Sequence, residues 1–169
     1  MTKKFQKTLF LISTVCILIF GFSIVVFAAY AESPYKYATV YGYDYKFKAG
    51  IYNAGTYVTA ETLVVCNNGN VPTGYMGAQA RLYNSDGLLK LSSSWVYNDR
   101  ELAGFNVLTN IYTTAGDYYS CGQVRLYNGD GYNTYTTYNY KSPIVTLGST
   151  KSSLLKSKGI SNYKYQINE

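Results

Sequence analysis

The sequence predicts an all-β protein: an antiparallel β-sandwich of about seven to eight strands with hairpin repeats, preceded by a hydrophobic N-terminal helix. Three observations lead there. From Tyr35 to Val145 the chain is rich in Tyr, Thr and Val, which suit a pleated, half-buried surface, and tyrosine accounts for 21 of the 169 residues. No stretch of that region sustains a helical period for two turns. And Tyr75-Met76-Gly77-Ala78-Gln79-Ala80-Arg81-Leu82-Tyr83-Asn84-Ser85-Asp86-Gly87 recurs 44 residues later as Tyr119-Ser120-Cys121-Gly122-Gln123-Val124-Arg125-Leu126-Tyr127-Asn128-Gly129-Asp130-Gly131, identical at eight of thirteen positions.

A first strand is expected over residues 35–47, where Tyr41, Tyr43, Tyr45 and Phe47 alternate. A second, over 56–66, alternates Val58, Ala60, Thr62, Val64 and Cys66 with a second set of side chains. Asn67-Asn68-Gly69-Asn70-Val71-Pro72 reads as a loop. Strands follow at 74–83, 88–97, 105–114, 118–127 and 132–141. The repeat ends each copy in a turn, Asn84-Ser85-Asp86-Gly87 and Asn128-Gly129-Asp130-Gly131, where Asn or Asp can bond nearby amides and Gly accepts positive φ. Ile51-Tyr52-Asn53-Ala54-Gly55 is a weaker, shorter relative.

Side chains alternate across a strand, so the repeat sorts itself into two faces. Ala78, Ala80 and Leu82, with Gly122, Val124 and Leu126, should face the core. Gln79, Arg81 and Tyr83, with Gln123, Arg125 and Tyr127, should then line the opposite face in matched positions. Tyr132, Tyr135 and Tyr138 follow the second turn and extend this candidate binding surface, since a phenol ring offers a flat apolar face and a hydrogen-bonding tip. Trp95 reads better as a core anchor than as a ligand contact. By the same parity Cys121 falls on the outer or rim side.

The first 31 residues read as a secretory signal peptide: Lys3, Lys4 and Lys7, an uncharged apolar run from Leu9 to Ala29, then Ala29-Tyr30-Ala31, with cleavage expected after Ala31. The run is also long enough for an uncleaved membrane anchor, and either way the remainder is delivered outside. Residues 32–147 would form the domain and 148–169 a basic Ser/Lys-rich tail. Without leader and tail the chain carries balanced charge, which argues against nucleic acid as a partner. In an exported protein Cys66 and Cys121 are expected to form one disulfide, which would contribute about 4 kcal/mol by closing its loop.

The chain has no histidine, which removes Ser-His-Asp and Cys-His catalysis and the usual zinc sites. Glu61, Asp99, Glu101 and Asp117 are the carboxylates left for acid–base work, with no spacing that suggests it. The Asn-x-Asp-Gly turns lack the further ligands of a calcium loop. No cofactor or metal is expected. These features imply a secreted, disulfide-stapled, non-catalytic binding protein of Gram-positive type at the cell envelope. Its partner would be a cell-wall glycan, an anionic envelope polymer or another extracellular protein. The alternative is a bacteriocin-like or toxin-like effector, or a protein protecting against one. A small carboxylate-dependent hydrolase comes third.

Overall fold

The computed structural model describes residues 29–148. The basic tail after Gly148 and the apolar run before Ala29, with its expected helix, lie outside the described residues. Those residues form thirteen strands and one 3-10 turn, all strand pairs antiparallel, in a sandwich-like arrangement. The first sheet runs in the order β1 (Ala29–Glu32), β3 (Tyr43–Asn53), β4 (Val58–Cys66), β9 (Gly104–Leu108), with β2 (Lys36–Val40) on the same edge of β3 as β1. β1 and β2 are one edge strand offset by a residue at Ser33-Pro34-Tyr35: Glu32 pairs with Gly50, Lys36 with Phe47.

The single strand expected over 35–47 is a hairpin instead. Tyr41 and Gly42 both take positive φ, 53° and 79°, the geometry of a two-residue turn. The Tyr41, Tyr43, Tyr45 alternation concealed it, because a bulky tyrosine is an unusual choice for left-handed backbone.

The second layer is built from the repeat. β5 (Met76–Gln79) pairs with β11 (Gln123–Tyr127), and β6 (Arg81–Asn84) with β10 (Gly116–Ser120). The register is continuous across both pairs: Met76↔Leu126, Gln79↔Gln123, Leu82↔Ser120, Asn84↔Tyr118. The two four-stranded sheets are therefore halves of one sheet, interrupted at Ala80 and at Cys121-Gly122. β7 (Leu89–Ser92) and β8 (Val96–Tyr97) form one flank; β12 (Tyr132–Thr136) and β13 (Val145–Leu147) form the other, separated by the 3-10 turn Tyr138–Tyr140. The strands expected over 88–97 and 132–141 are thus each broken, and that over 105–114 ends at Leu108, leaving only a bridge from Tyr112 to Val58.

The interruption has a visible cause. The layers approach closely where Thr62 meets Gly122: a Cβ there would fall 1.9 Å from the Thr62 Oγ1. Thr62 donates to the Gln79 carbonyl (3.1 Å) and Ser120 to the Glu61 carbonyl (3.1 Å), tying the layers at this waist. The apolar interior is divided accordingly. Phe47, Val64, Met76, Val124 and Leu126 belong to one cluster; Ile51, Val58, Ala60, Leu82, Tyr118 and Leu147 belong to the other.

A recurring side-chain device lets strands leave the ladder without orphaning an amide. In a hydrogen-bonded antiparallel pair each residue normally donates to the other's carbonyl. Here the Ser93 amide donates to the Ala80 carbonyl (2.9 Å), but the Ala80 amide donates to the Ser93 hydroxyl (3.0 Å). Ser33 with Ala49, Thr109 with Ala60, Thr137 with Gly122, Ser142 with Ser120, and Asn98 with Met76 repeat the exchange. The side-chain oxygen replaces the residue's own carbonyl, so the following backbone is free to turn away while the buried N–H stays paired.

The expected disulfide is not formed: Cys66 and Cys121 are both free and both buried. Parity explains it. Cys66 lies on the inner face of β4 within the first core cluster, whereas Cys121 shares the outward parity of Tyr119 and Gln123, its sulfur 3.7 Å from the Thr136 hydroxyl. A disulfide needs Cβ atoms about 4 Å apart, and side chains on opposite sides of a layer do not meet that.

An aromatic and arginine shelf as the candidate functional site

The outer face of the second sheet reads directly from its register. Tyr75 stands opposite Tyr127, Gly77 opposite Arg125, Gln79 opposite Gln123, and Tyr83 opposite Tyr119. Because copy two lies 44 residues after copy one and antiparallel to it, Gln79 and Gln123 pair with themselves. The repeat therefore has a local pseudo-two-fold centred on that glutamine pair. Each end receives the same kernel, a tyrosine pair flanked by an arginine: Tyr75, Tyr127 and Arg125 at one end, Tyr83, Tyr119 and Arg81 at the other.

The expected face is where the residues lie. Gln79, Arg81, Tyr83, Gln123, Arg125 and Tyr127 are all half-buried, while Ala78, Ala80, Leu82, Gly122, Val124 and Leu126 are buried beneath. Arg81 donates through Nε to the Gln79 amide oxygen (3.0 Å), and Gln79 donates to the Ser93 carbonyl (2.9 Å).

At the Arg125 end the aromatic contacts form a continuous shelf. The Tyr75 and Tyr127 rings lie 4.6 Å apart, Tyr127 meets Tyr132 at 6.0 Å, Tyr132 meets Tyr97 at 5.3 Å, and Tyr97 meets Trp95 at 6.4 Å. Gly77 provides the seat for Tyr97, since a Cβ there would lie 2.7 Å from the ring. The Arg125 guanidinium stacks 4.2 Å over Trp95 and donates to the Tyr97 hydroxyl (3.0 Å). One of five guanidinium donors is thereby used. From the other layer the hairpin tip brings Tyr41, 5.6 Å from Tyr127 and 6.2 Å from Tyr75, its ring lying on Gly129. Tyr41 is 58% and Tyr132 43% exposed, so these rings present open faces. Burial raises the Tyr75 and Tyr132 phenols above their ordinary range, with the neighbouring phenols adding to it.

Three expectations are corrected. Tyr135 does not join the surface: it pairs with Val124, faces inward, and its ring meets Phe47 at 5.8 Å. Trp95 is half-exposed on the shelf and is absent from both core clusters. Tyr138 is exposed in the 3-10 turn, near Tyr119 and away from the Arg125 end. Sequence reasoning missed Tyr75 and Tyr97 as contributors. The signal available for Tyr75 was its place as the first residue of the repeat; for Tyr97 it was the glycine opposite, visible only once the register is known.

The turns are held by their asparagines. Asn84 Oδ1 accepts from the Leu88 amide (2.7 Å), Asn128 Oδ1 from the Asp130 amide (3.0 Å), and Asn53 Oδ1 from the Gly55 amide (2.9 Å), so the weaker relative shares the second copy's local bond. Among the described carboxylates Glu61 alone is buried, 5% exposed, on the first sheet, accepting from the Tyr30 hydroxyl (2.6 Å) and the Asn106 amide (2.5 Å). Asp117 accepts from Thr146 (2.6 Å), and Asp99 and Glu101 are exposed. Compared with family models, curated proteins and solved structures, the chain matches none of them.

Proposed function

We propose that this is an exported, non-catalytic binding protein whose Arg125 shelf holds an anionic glycan of the cell envelope. The observation that carries the reading is the shelf itself: Trp95, Tyr97, Tyr132, Tyr127, Tyr75 and Tyr41 in unbroken ring contact, with one guanidinium among them. Rings of this kind stack on sugar faces at little cost in side-chain entropy, and a guanidinium with free donors selects carboxylate or phosphate. The frame is a two-layer antiparallel sandwich in which the thirteen short strands trace eight long ones.

Tyr41 adds weight. A tyrosine at φ 53° stores roughly 1–3 kcal/mol of backbone strain, which asparagine or glycine would avoid. Such strain persists at positions where the side chain serves something other than stability.

Sedimentation of the purified protein with envelope fractions tests the proposal. Retention on anionic wall polymer at 0.1 M salt, competed by the soluble polymer and reduced in Arg125→Gln, is expected. Equal retention on neutral glucan would remove the arginine's role. No retention on any wall fraction, with capture by an extracellular protein instead, would reject the glycan.

A further inference from the structure

The expected leader cut after Ala31 would pass through β1, and β1 is built into the first sheet. Ala29, Tyr30, Ala31 and Glu32 pair in register with Asn53, Tyr52, Ile51 and Gly50. The Tyr30 ring packs 4.4 Å from that of Tyr52, and its hydroxyl donates to the Glu61 carboxylate (2.6 Å). Gly50 is cut to receive it: a Cβ there would fall 2.5 Å from the Tyr30 hydroxyl oxygen and 2.9 Å from Glu61 Oε2. A glycine inside a long strand weakens that strand, and here the space it leaves is filled by a residue the cut would discard. Losing residues 29–31 would also open the β3 edge and leave the buried Glu61 carboxylate without its phenol donor.

We infer that the mature domain retains β1, with leader processing at the Ala28–Ala29 bond; this rests on the export reading above, not on the glycan. Val26-Phe27-Ala28 offers a small β-branched residue and an alanine at the two positions such a cut reads. Water hydrolyses the amide, leaving the Ala28 carboxylate on the leader and the Ala29 amine on the first residue of β1.

The test is intact-mass analysis of the full chain after export from a Gram-positive host and, in parallel, after digestion in detergent by purified signal peptidase. A product starting at Ala29 is expected in both. Ala28→Leu should abolish that product while Ala31→Leu leaves it unchanged. A product starting at Glu32, or no cut in either assay, overturns the inference. Failure to export with correct cutting in detergent would reject the export reading alone. As a check on β1 itself, Tyr30→Phe in the full chain should lower the melting temperature by a few degrees. An unchanged value would show that the Glu61 contact does not hold the strand.

Discussion

The two ends of the second sheet carry the same kernel and present different surfaces. At the Arg125 end Tyr75 and Tyr127 open onto Tyr132, Tyr97 and Trp95. At the Arg81 end Tyr83 and Tyr119 lie parallel, 5.5 Å apart, with the Lys141 ammonium 4.4 Å over the Tyr119 ring, and Tyr119 is only 2% exposed. The flanking residues make the difference. Forty-four residues after Gly77 and Tyr97 come Cys121 and Lys141, so the glycine seat has a cysteine as its counterpart and the ring it holds has the lysine that lies over Tyr119. The clamp next to it is conserved in form, since Asn98 on Met76 becomes Ser142 on Ser120. The repeat supplies the same kernel at both ends, and the edge strands decide which end stays open.

Substitutions can break this comparison. Gly122→Val strikes the waist common to both ends and should cost about 3 kcal/mol or more, because backbone and Thr62 must both give way; urea midpoints check it. Tyr127→Ala should weaken ligand binding about tenfold, or ~1.4 kcal/mol, while Tyr83→Ala leaves affinity within twofold; titration of the two variants decides. Tyr41→Asn should separate stability from binding. Relief of positive φ offsets the lost ring contacts, leaving stability within about 1 kcal/mol, while affinity falls.

Alkaline pH should act on both ends. Burial raises Tyr30, Tyr45, Tyr52, Tyr75, Tyr118, Tyr119 and Tyr132 above the usual phenol value. The unfolded chain releases those protons near about pH 10 while the folded chain keeps them. Stability is therefore full below about pH 10 and falls as pH rises through it. Melting temperatures between neutral pH and pH 11 would show the drop. The smallest expected effect is Tyr45→Phe. The Tyr45 hydroxyl is the buried side-chain polar atom without a partner among the described residues, so its removal should leave stability unchanged or raise it by about 1 kcal/mol.

Much of this fold is legible in the sequence, for reasons that particular residues show. The repeat places two hairpins, and parity assigns Gln79, Arg81 and Tyr83 outward against Ala78, Ala80 and Leu82 inward without any three-dimensional knowledge. Period-two alternation fails where geometry is set from outside the strand. Tyr41 alternates with Tyr43 yet sits in a turn. Ser93 and Thr137 read as ordinary polar strand residues, although their oxygens end the pairing by replacing a carbonyl. Tyr135 reads as outward because it clusters with Tyr132 and Tyr138 in sequence; its neighbour across the ladder, Val124, fixes it inward. The cysteine pair failed for a related reason: even number and export context say nothing about which face each strand presents.

The central claim is that the Arg125 end receives the ligand and the Arg81 end does not. Trp95 is the chain's single tryptophan and lies under Arg125, so its fluorescence reports on that end alone. Titrating the full-length protein with anionic wall polymer should shift Trp95 emission saturably. The shift should be lost in Arg125→Gln and retained in Arg81→Gln. Binding with Trp95 emission unchanged, or equal loss in both variants, would contradict the account.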